Sequence, residues 1–482
     1  RADAIESIFA YNLVGIDIDE RARQLATFAL MLKACQRDDS FADARALPQV
    51  LSMPEVNETQ AEEFFRLSDI SGESLKELRE AFDLMKDADS LGSIMKFDIS
   101  GSTRVLLQQT LDHWMNQSDK PEAVVAYIPS VRLILALTDS YDAIVMNPPY
   151  MPTSRVDALK TYAAKNYPDS KIDLFSDFMD VCIDRLKDGG KYGMINMQSW
   201  MFLSSFEALR KKILDTQHID SLLHLGPRTF DELSGEVVQN AAFVISKASP
   251  QTRGGVYYRL IEGKSCVEKQ EKFFDVTGRF EISEQSIFEK IPGFAIGYWL
   301  SNTIIDLFSN SRIADLSDIC VGIQTGDNDK YIHYWFEVDK SSLFFGCKST
   351  EDSIHSNAKW YPYNKGGNGF KWFGGNYLVV NWHHNGEDIR NEEGSVLRNQ
   401  NYYFSSCLTF PRIGSGKLMA RYSPAGALFD INGPTIHPNI SKTFLLGYLN
   451  SKVLNNFLSI LCPTLTFQVG DVGRAPCISE NN

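Results

Sequence analysis

The sequence of 482 residues contains no apolar run near the roughly 20 residues that span a bilayer, and no basic N-terminal stretch followed by a signal-type apolar segment. No membrane association is expected, and a cytoplasmic location is. Cysteine is sparse, at Cys35, Cys182, Cys266, Cys320, Cys347, Cys407, Cys462 and Cys477, with no CxxC pair. That scatter suits reduced thiols and excludes a disulfide scaffold or a structural zinc site. Positive charge is also short: 48 Lys and Arg stand against 61 Asp and Glu, for a net charge of −13. Taken over the whole chain, this argues against a polyanionic partner, whose phosphates need lysine and arginine to neutralise them. With 44% hydrophobic and 23% charged residues, disorder, collagen and a coiled coil are excluded, and there is length for two or three domains.

Dividing the chain changes the charge argument. Residues 1–285 hold 32 basic and 44 acidic side chains, and residues 286–482 hold 16 and 17, so the acidity is concentrated in the first part. The second part is nearly neutral and richer in aromatics, with 29 in 197 residues against 27 in 285. Two domains with different tasks are expected, 1–285 and 286–482, meeting near Ile282–Pro292.

The first part alternates β-like and α-like segments. Strands are expected at Asn12–Asp17, Tyr141–Asn147, Gly193–Asn196 and Ala241–Ile245, and helices at Glu20–Ala34, Asp173–Leu186 and Ser204–Leu214. This order predicts an α/β, doubly wound sheet whose ligands bind at the carboxyl ends of the strands. Residues 57–96 are acidic and helical in pattern and read as an insertion.

Two strand ends carry candidate chemistry. Gly15-Ile-Asp-Ile-Asp19 places Asp17, with Ile18 beside it, where a carboxylate can accept hydrogen bonds from ribose hydroxyls; Asp19 reads as the cap of the following helix. Asn147-Pro148-Pro149-Tyr150 is the more informative segment. Two prolines stop the strand and stiffen the loop. They hold the Asn147 side chain and the Pro148 carbonyl as two acceptors for the hydrogens of a planar amine, and Tyr150 offers a stacking face. A conjugated amine is a poor nucleophile, and two acceptors stabilise the positive charge that develops as it attacks a methyl group.

These residues resemble the S-adenosylmethionine-dependent amino methyltransferases, particularly the DNA adenine-N6 enzymes. Tyr192–Trp200 with Phe206–Arg210 resembles the strand and helix after the family's catalytic loop, and Gly235–Val244 a later strand facing the target-base pocket. The resemblance implies a pocket lined by Phe243 and a cofactor-adenine contact within Leu91–Asp98, at Ser93–Ile94 or Asp98. The family's Gly-rich cofactor loop should precede Asn12. The sequence starts at Arg1 inside the preceding helix, so a doubly wound, Rossmann-like methyltransferase sheet truncated at its N-terminus is expected, and with it weak cofactor binding by these residues alone.

From Pro292 the alternation gives way to short aromatic segments with Gly and Asn turns, such as Lys359–Phe373 and Tyr377–Trp382, which read as strands in a partly exposed sheet. Aromatics interleaved with Lys359, Lys365, Lys371, Arg412, Lys417 and Arg421 suit bases and phosphates. Leu316–Asp329, with its Gly-Ile-Gln-Thr-Gly, resembles the opening of a DNA target-recognition domain, and Lys442–Leu454 its closing helix. With Trp360–Gly367 and Ala420–Gly426, the chain from Asn12 to about Pro476 resembles the PglX-type adenine methyltransferases of BREX phage-defence systems. The resemblance implies an α+β target-recognition domain, double-stranded DNA and other phage-defence subunits as partners, and methyl transfer to a flipped-out adenine.

No metal site is expected. His383 and His384 lack partners at ligand spacing, and Asp327-Asn-Asp329 lacks the glycine and glutamate of a calcium loop. Asp169-Ser-Lys171 is too little for a nuclease. Two rivals stay open: a protein methyltransferase acting on a glutamine amide, which needs no aromatic reader of this size, and a DNA-recognition module without activity.

Overall fold

A computed structural model describes residues 2–43, 46–230, 238–248, 254–366, 369–414, 416–462 and 466–477. Residues 235–237 of the Gly235–Val244 segment, and Gly367 and Asn368, lie outside the described residues. The chain divides into two compact units, Arg1–Met197 with Thr216–Ser249, and Gln198–Asp215 with Pro250–Asn482. All three crossings, after Met197, Asp215 and Ser249, fall within 1–285. Among the described residues no helix is long and apolar enough to cross a membrane, and all eight cysteines are free thiols.

The first unit is mixed α/β. Strand β1 (Val14–Ile16) runs parallel to β2 (Gln49–Leu51) as a two-stranded sheet. Strands β3 (Tyr141–Met146), β4 (Leu186–Met197), β5 (His218–Gly226) and β6 (Asn240–Ser246) follow. β3 pairs parallel with β4, β4 antiparallel with β6, and β6 antiparallel with β5. The four expected strands are present. β2 and β5 were not anticipated, because β2 is only three residues and the apolar pattern of β5 is broken by His218, Asp220 and His224. The expected helices form here at Glu20–Cys35 and Leu174–Arg185, while the third, Glu207–Thr216, lies in the second unit but for its last residue.

The helix Leu174–Arg185 sits against β4 and buries every residue from Leu174 to Ile183. Its start is fixed by a capping box, in which the Asp173 side chain takes backbone amides and Ser176 reaches back to the Asp173 amide. Within 57–96, helices Glu58–Leu67 and Gly72–Leu84 bury Phe64, Phe65 and Phe82. Phe64 and Phe82 pack on the ring of Tyr127, which lies in a further helix, Glu122–Leu137. The Tyr127 hydroxyl takes the Asn57 amide at 2.7 Å and donates to the Asn57 carbonyl at 2.5 Å, pinning the start of this helical region.

The second unit is β-rich. A hairpin of β7 (Gly255–Arg259) and β8 (Arg279–Ile282) comes first. The remaining strands are β9 (Ser317–Cys320), β10 (Ile332–Tyr334), β11 (Trp360–Asn364), β12 (Leu378–Asn381), β13 (Cys407–Thr409), β14 (Arg421–Ser423), β15 (Leu428–Phe429) and β16 (Thr435–Pro438). They form two four-stranded sheets, β10-β12-β11-β15 and β14-β13-β16-β9. Tyr361, Tyr363, Trp382 and Phe404 fill one core with Ile323 and Phe429. This corrects the expected exposed platform: the rings of Trp360–Tyr363 and Trp382 are core, and the exposed aromatics lie elsewhere. Arg210 is fully buried in this unit, where it donates to the carbonyls of Trp200, Leu203 and Gly293 at 2.7–2.8 Å and ties three turns together.

The Gly-Ile-Gln-Thr-Gly segment has a packing reason. The Ile323 amide donates to the Phe429 carbonyl at 2.8 Å, which draws the backbone so close that a Cβ on Gly322 would stand 1.9 Å from that oxygen. Only glycine fits without moving β15. Gly322→Ala is expected to cost at least ~2 kcal/mol in a denaturant titration of the protein; an unchanged midpoint would contradict this packing.

Candidate active site

Strand β3 ends at Met146 and delivers Asn147 to the surface. The side chain of Asn147 and the carbonyl of Pro148 receive no hydrogen bond from the described residues, and Asn147 is exposed while Pro148 is buried. The two prolines carry no amide hydrogen, so the loop cannot fasten itself, and neighbouring segments hold it instead. The Met151 amide donates to Asp173 Oδ1 at 3.0 Å, the Leu174 amide to the Met151 carbonyl at 2.9 Å, and the Thr153 amide to the Ile172 carbonyl at 3.3 Å. The Thr153 hydroxyl closes the set on the Lys171 carbonyl at 2.5 Å.

Tyr150 is fixed from the other side. Its hydroxyl donates to the Ile195 carbonyl at 3.3 Å and accepts from Asn240 Nδ2 at 3.1 Å. Asn240 Nδ2 also reaches the Asn196 carbonyl at 3.3 Å, and the Tyr150 ring stands edge-on to Phe175. Asn240 thus joins the ends of β4 and β6 to the loop. Sequence reasoning missed both Asn240 and Asp173 as site residues. Asp173 had a signal in the Asp-x-x-Ser capping pattern; Asn240 had none beyond a polar residue at a strand start.

Beneath the loop lies an acidic cluster that the sequence did not reveal. The Ser170 hydroxyl is 3.1 Å from Asp177 Oδ1 and 2.9 Å from Asp180 Oδ2, and both aspartates are buried. Burial pushes Asp177 up to about 7, with the Ser170 hydrogen bond opposing the rise and the Asp180 charge adding to it. Burial also raises Asp173, although it accepts backbone amides.

At the end of β1, Asp17 is exposed and its Oδ1 accepts the Asp19 amide at 2.9 Å. Asp19 is the helix cap, as expected: it accepts the Arg21 amide at 2.8 Å, and hydrogen bonds from Arg21 hold its carboxyl down to about 2. The exposed Ile18 side chain reaches toward Gly92, whose Cβ would lie 3.7 Å from Ile18 Cδ1. Two residues on, the Ile94 carbonyl accepts the Tyr167 hydroxyl at 2.5 Å. Tyr167 in turn stands three residues before Ser170 and six before Asp173 in the chain. Asp98 lies exposed past this turn.

Other expected residues fall differently. Phe243 is a core residue, 3% exposed and edge-on to Tyr192, rather than the wall of an open pocket. Arg421 is 1% exposed, so it is no surface cation. Arg412 is half-buried and donates to Gln468 at 3.0 Å, and Lys365 is half-buried beside Asp430. Lys371 and Lys417 are exposed.

The first unit thus carries an exposed asparagine acceptor on a clamped Pro-Pro loop at the end of the parallel strand β3, and an exposed carboxylate at the end of the parallel strand β1. The family model described as the Eco57I restriction-modification methylase matches residues 11–230. Along its full length the chain is similar to the adenine-specific methyltransferase PglX of Lacticaseibacillus casei, with 33% identity over 100% of this chain and 42% of that protein. It is likewise similar to the adenine-specific methyltransferase BrxX of Escherichia coli, with 32% identity over 100% of this chain and 42% of that protein. The resemblance to PglX-type enzymes therefore holds, and the chain spans about two-fifths of the length of these relatives. Among solved structures, a nuclease-deletion mutant of the Type ISP restriction-modification enzyme LlaGI aligns over 94% of this chain and 43% of that one, at 12% identity and a TM-score of 0.49.

Two outcomes test this geometry. The native state holds a proton on Asp177 that the unfolded chain releases above its ordinary value of 3.8, so stability should fall by roughly 2–4 kcal/mol as pH rises from about 4 to about 7, then level off. In denaturant titrations across that range, Asp177→Asn should flatten the decline; an unaltered slope would contradict it. Asn240→Ala removes the bonds to the Tyr150 hydroxyl and the Asn196 carbonyl and should cost about 1–3 kcal/mol in the same titrations; an unchanged midpoint would contradict this anchoring.

Proposed function

We propose that this chain carries the catalytic and target-recognition parts of a DNA adenine-N6 methyltransferase of a phage-defence or restriction-modification system, acting in the cytoplasm on duplex DNA. Residues 1–285 are read as a doubly wound, Rossmann-like catalytic domain with 57–96 as its helical insertion, and 286–482 as an α+β target-recognition domain. The observation that carries the reading is Asn147: an exposed amide with no partner among the described residues, on a loop held rigid at Tyr150, Met151 and Thr153. The similarity to proteins named adenine-specific methyltransferases supports amine chemistry on that base.

The residues at the end of β1 fit S-adenosylmethionine. Asp17 keeps Oδ2 free of hydrogen bonds among the described residues, which suits ribose hydroxyls. Ile18 and the glycine turn at Gly92 offer an apolar flank for an adenine ring, with Ser93–Ile94 and Asp98 as its further contacts. When bound, this cofactor supplies an electrophilic methyl group on a sulfonium.

The protein's own part is positioning and charge stabilisation. Asn147 Oδ1 and the Pro148 carbonyl accept the two hydrogens of the exocyclic amine and stabilise the charge that grows on nitrogen, Pro149 stiffens the turn, and the anchored Tyr150 ring stacks on the flipped base. The exposed Lys371 and Lys417, with Lys365 and Arg412 nearer the surface than Arg421, are the cations available to phosphates.

In the protein at its full natural length, Asn147→Ala should lower methyl transfer by about 10²–10³-fold or more while duplex affinity stays within about twofold. Tritiated methyl transfer and a binding titration on the same preparations read both. Equal loss of the two would count against the assignment.

A further inference from the structure

The loop between β11 and β12 carries an unusual residue. Trp372 has φ of +73°, a left-handed conformation that bulky side chains avoid and glycine adopts freely. Two backbone bonds hold it there: the Trp372 amide donates to the Ala420 carbonyl at 3.0 Å, and the Tyr422 amide to the Trp372 carbonyl at 2.9 Å. What this strained, doubly pinned backbone achieves is to hold a ring outward. The Trp372 side chain is 53% exposed and that of Phe373 63%. Neither ring is needed for the core, and a glycine would satisfy the turn better. Backbone strain kept at the surface points to use of the side chain.

The surroundings indicate what the ring meets. Lys371 and Lys340 are exposed and have no partner among the described residues. The nearby carboxylates are turned to their own backbone: Glu337 accepts the Tyr334 amide, and Asp339 takes the Ser341 amide and hydroxyl. Behind the loop, the buried Arg421 guanidinium leaves Nε and Nη1 without partners among the described residues and lies so near Gly375 that a Cβ there would be 3.6 Å from Nε. At its far end the loop places Asn376 in a cavity of about 310 Å³ with Trp335, Phe345, Leu343 and Lys340. The Trp335 amide, which donates to the Tyr377 carbonyl at 2.9 Å, ties that cavity to the loop. Flat rings, an amide and unpaired cations match a nucleobase attached to a phosphate chain, and a protein surface would not call for the unpaired charge.

We propose that the loop 370–377 is a nucleobase-stacking site, with Trp372 held out to stack on a base of the bound DNA. The proposal rests on the reading of this chain as a DNA-acting enzyme and names the surface by which its second unit grips the base. The backbone that carries the ring is pinned before DNA arrives, so ordering the loop adds little cost at binding.

The test uses the protein at its full natural length, a duplex carrying 2-aminopurine, and two variants. Trp372→Gly should melt no lower than wild type, because the strain is relieved, yet bind duplex about tenfold more weakly and lose the 2-aminopurine fluorescence change. Trp372→Phe should recover most of both. Wild-type affinity and fluorescence response in Trp372→Gly would overturn the stacking site and leave the face to a protein partner. A clear drop in melting temperature for Trp372→Gly would make the ring structural and also overturn it. A wild-type protein that binds no duplex would overturn the methyltransferase reading itself, and the stacking site with it.

Discussion

The Asn147 loop is held chiefly from the segment 170–174, above all by the hydrogen bond from the amide of Met151 to the carboxylate of Asp173. The Asn-Pro-Pro segment has given up two amide donors to become stiff, so nothing within it can anchor it. Asp173 supplies the anchor and at the same time caps the helix Leu174–Arg185, whose buried face packs against β4. The Asp173 side chain therefore ties the loop that carries Asn147 to a deeply buried helix of the first unit, and bonds from Met151 and Thr153 to the same segment support it. Tyr150 gains its orientation the same way, from carbonyl and amide groups at the ends of β4 and β6.

That arrangement sets charges where they are costly. Asp173, Asp177 and Asp180 lie within eight residues, all buried, with Ser170 between two of them. Burial disfavours the charged form of Asp177 and pushes it up to about 7, and the charges of Asp180 and Asp173 add to the rise. The acidity of the first part of the sequence is thus not only a solvated surface. Some of it is buried, in the segment that holds the loop.

Much of this was legible in the sequence because it is carried by local rules. The apolar runs ending at Asp17 and Asn147 formed strands, Asp19 formed the cap, and the prolines formed the rigid turn. What was not legible depends on tertiary context. Asn240 matters only because β6 pairs with β4 and brings it to Tyr150, a long-range register no local pattern encodes. The fate of Arg421 and Phe243 was hidden for the same reason: alternation along a strand says which residues share a face, not whether that face is covered. The aromatic second part shows this most clearly. Trp360–Tyr363 and Trp382 went to the core, while Trp372 and Phe373, a few residues away, were left outside by a left-handed turn.

The central claim is that the Asn147 loop receives the exocyclic amine of adenine. The most direct measurement is mass spectrometry of nucleosides from duplex DNA incubated with the full-length protein and S-adenosylmethionine. The account predicts N6-methyladenine as the sole new nucleoside. Methylated cytosine, or a methyl group found on protein glutamine with none on DNA, would contradict it.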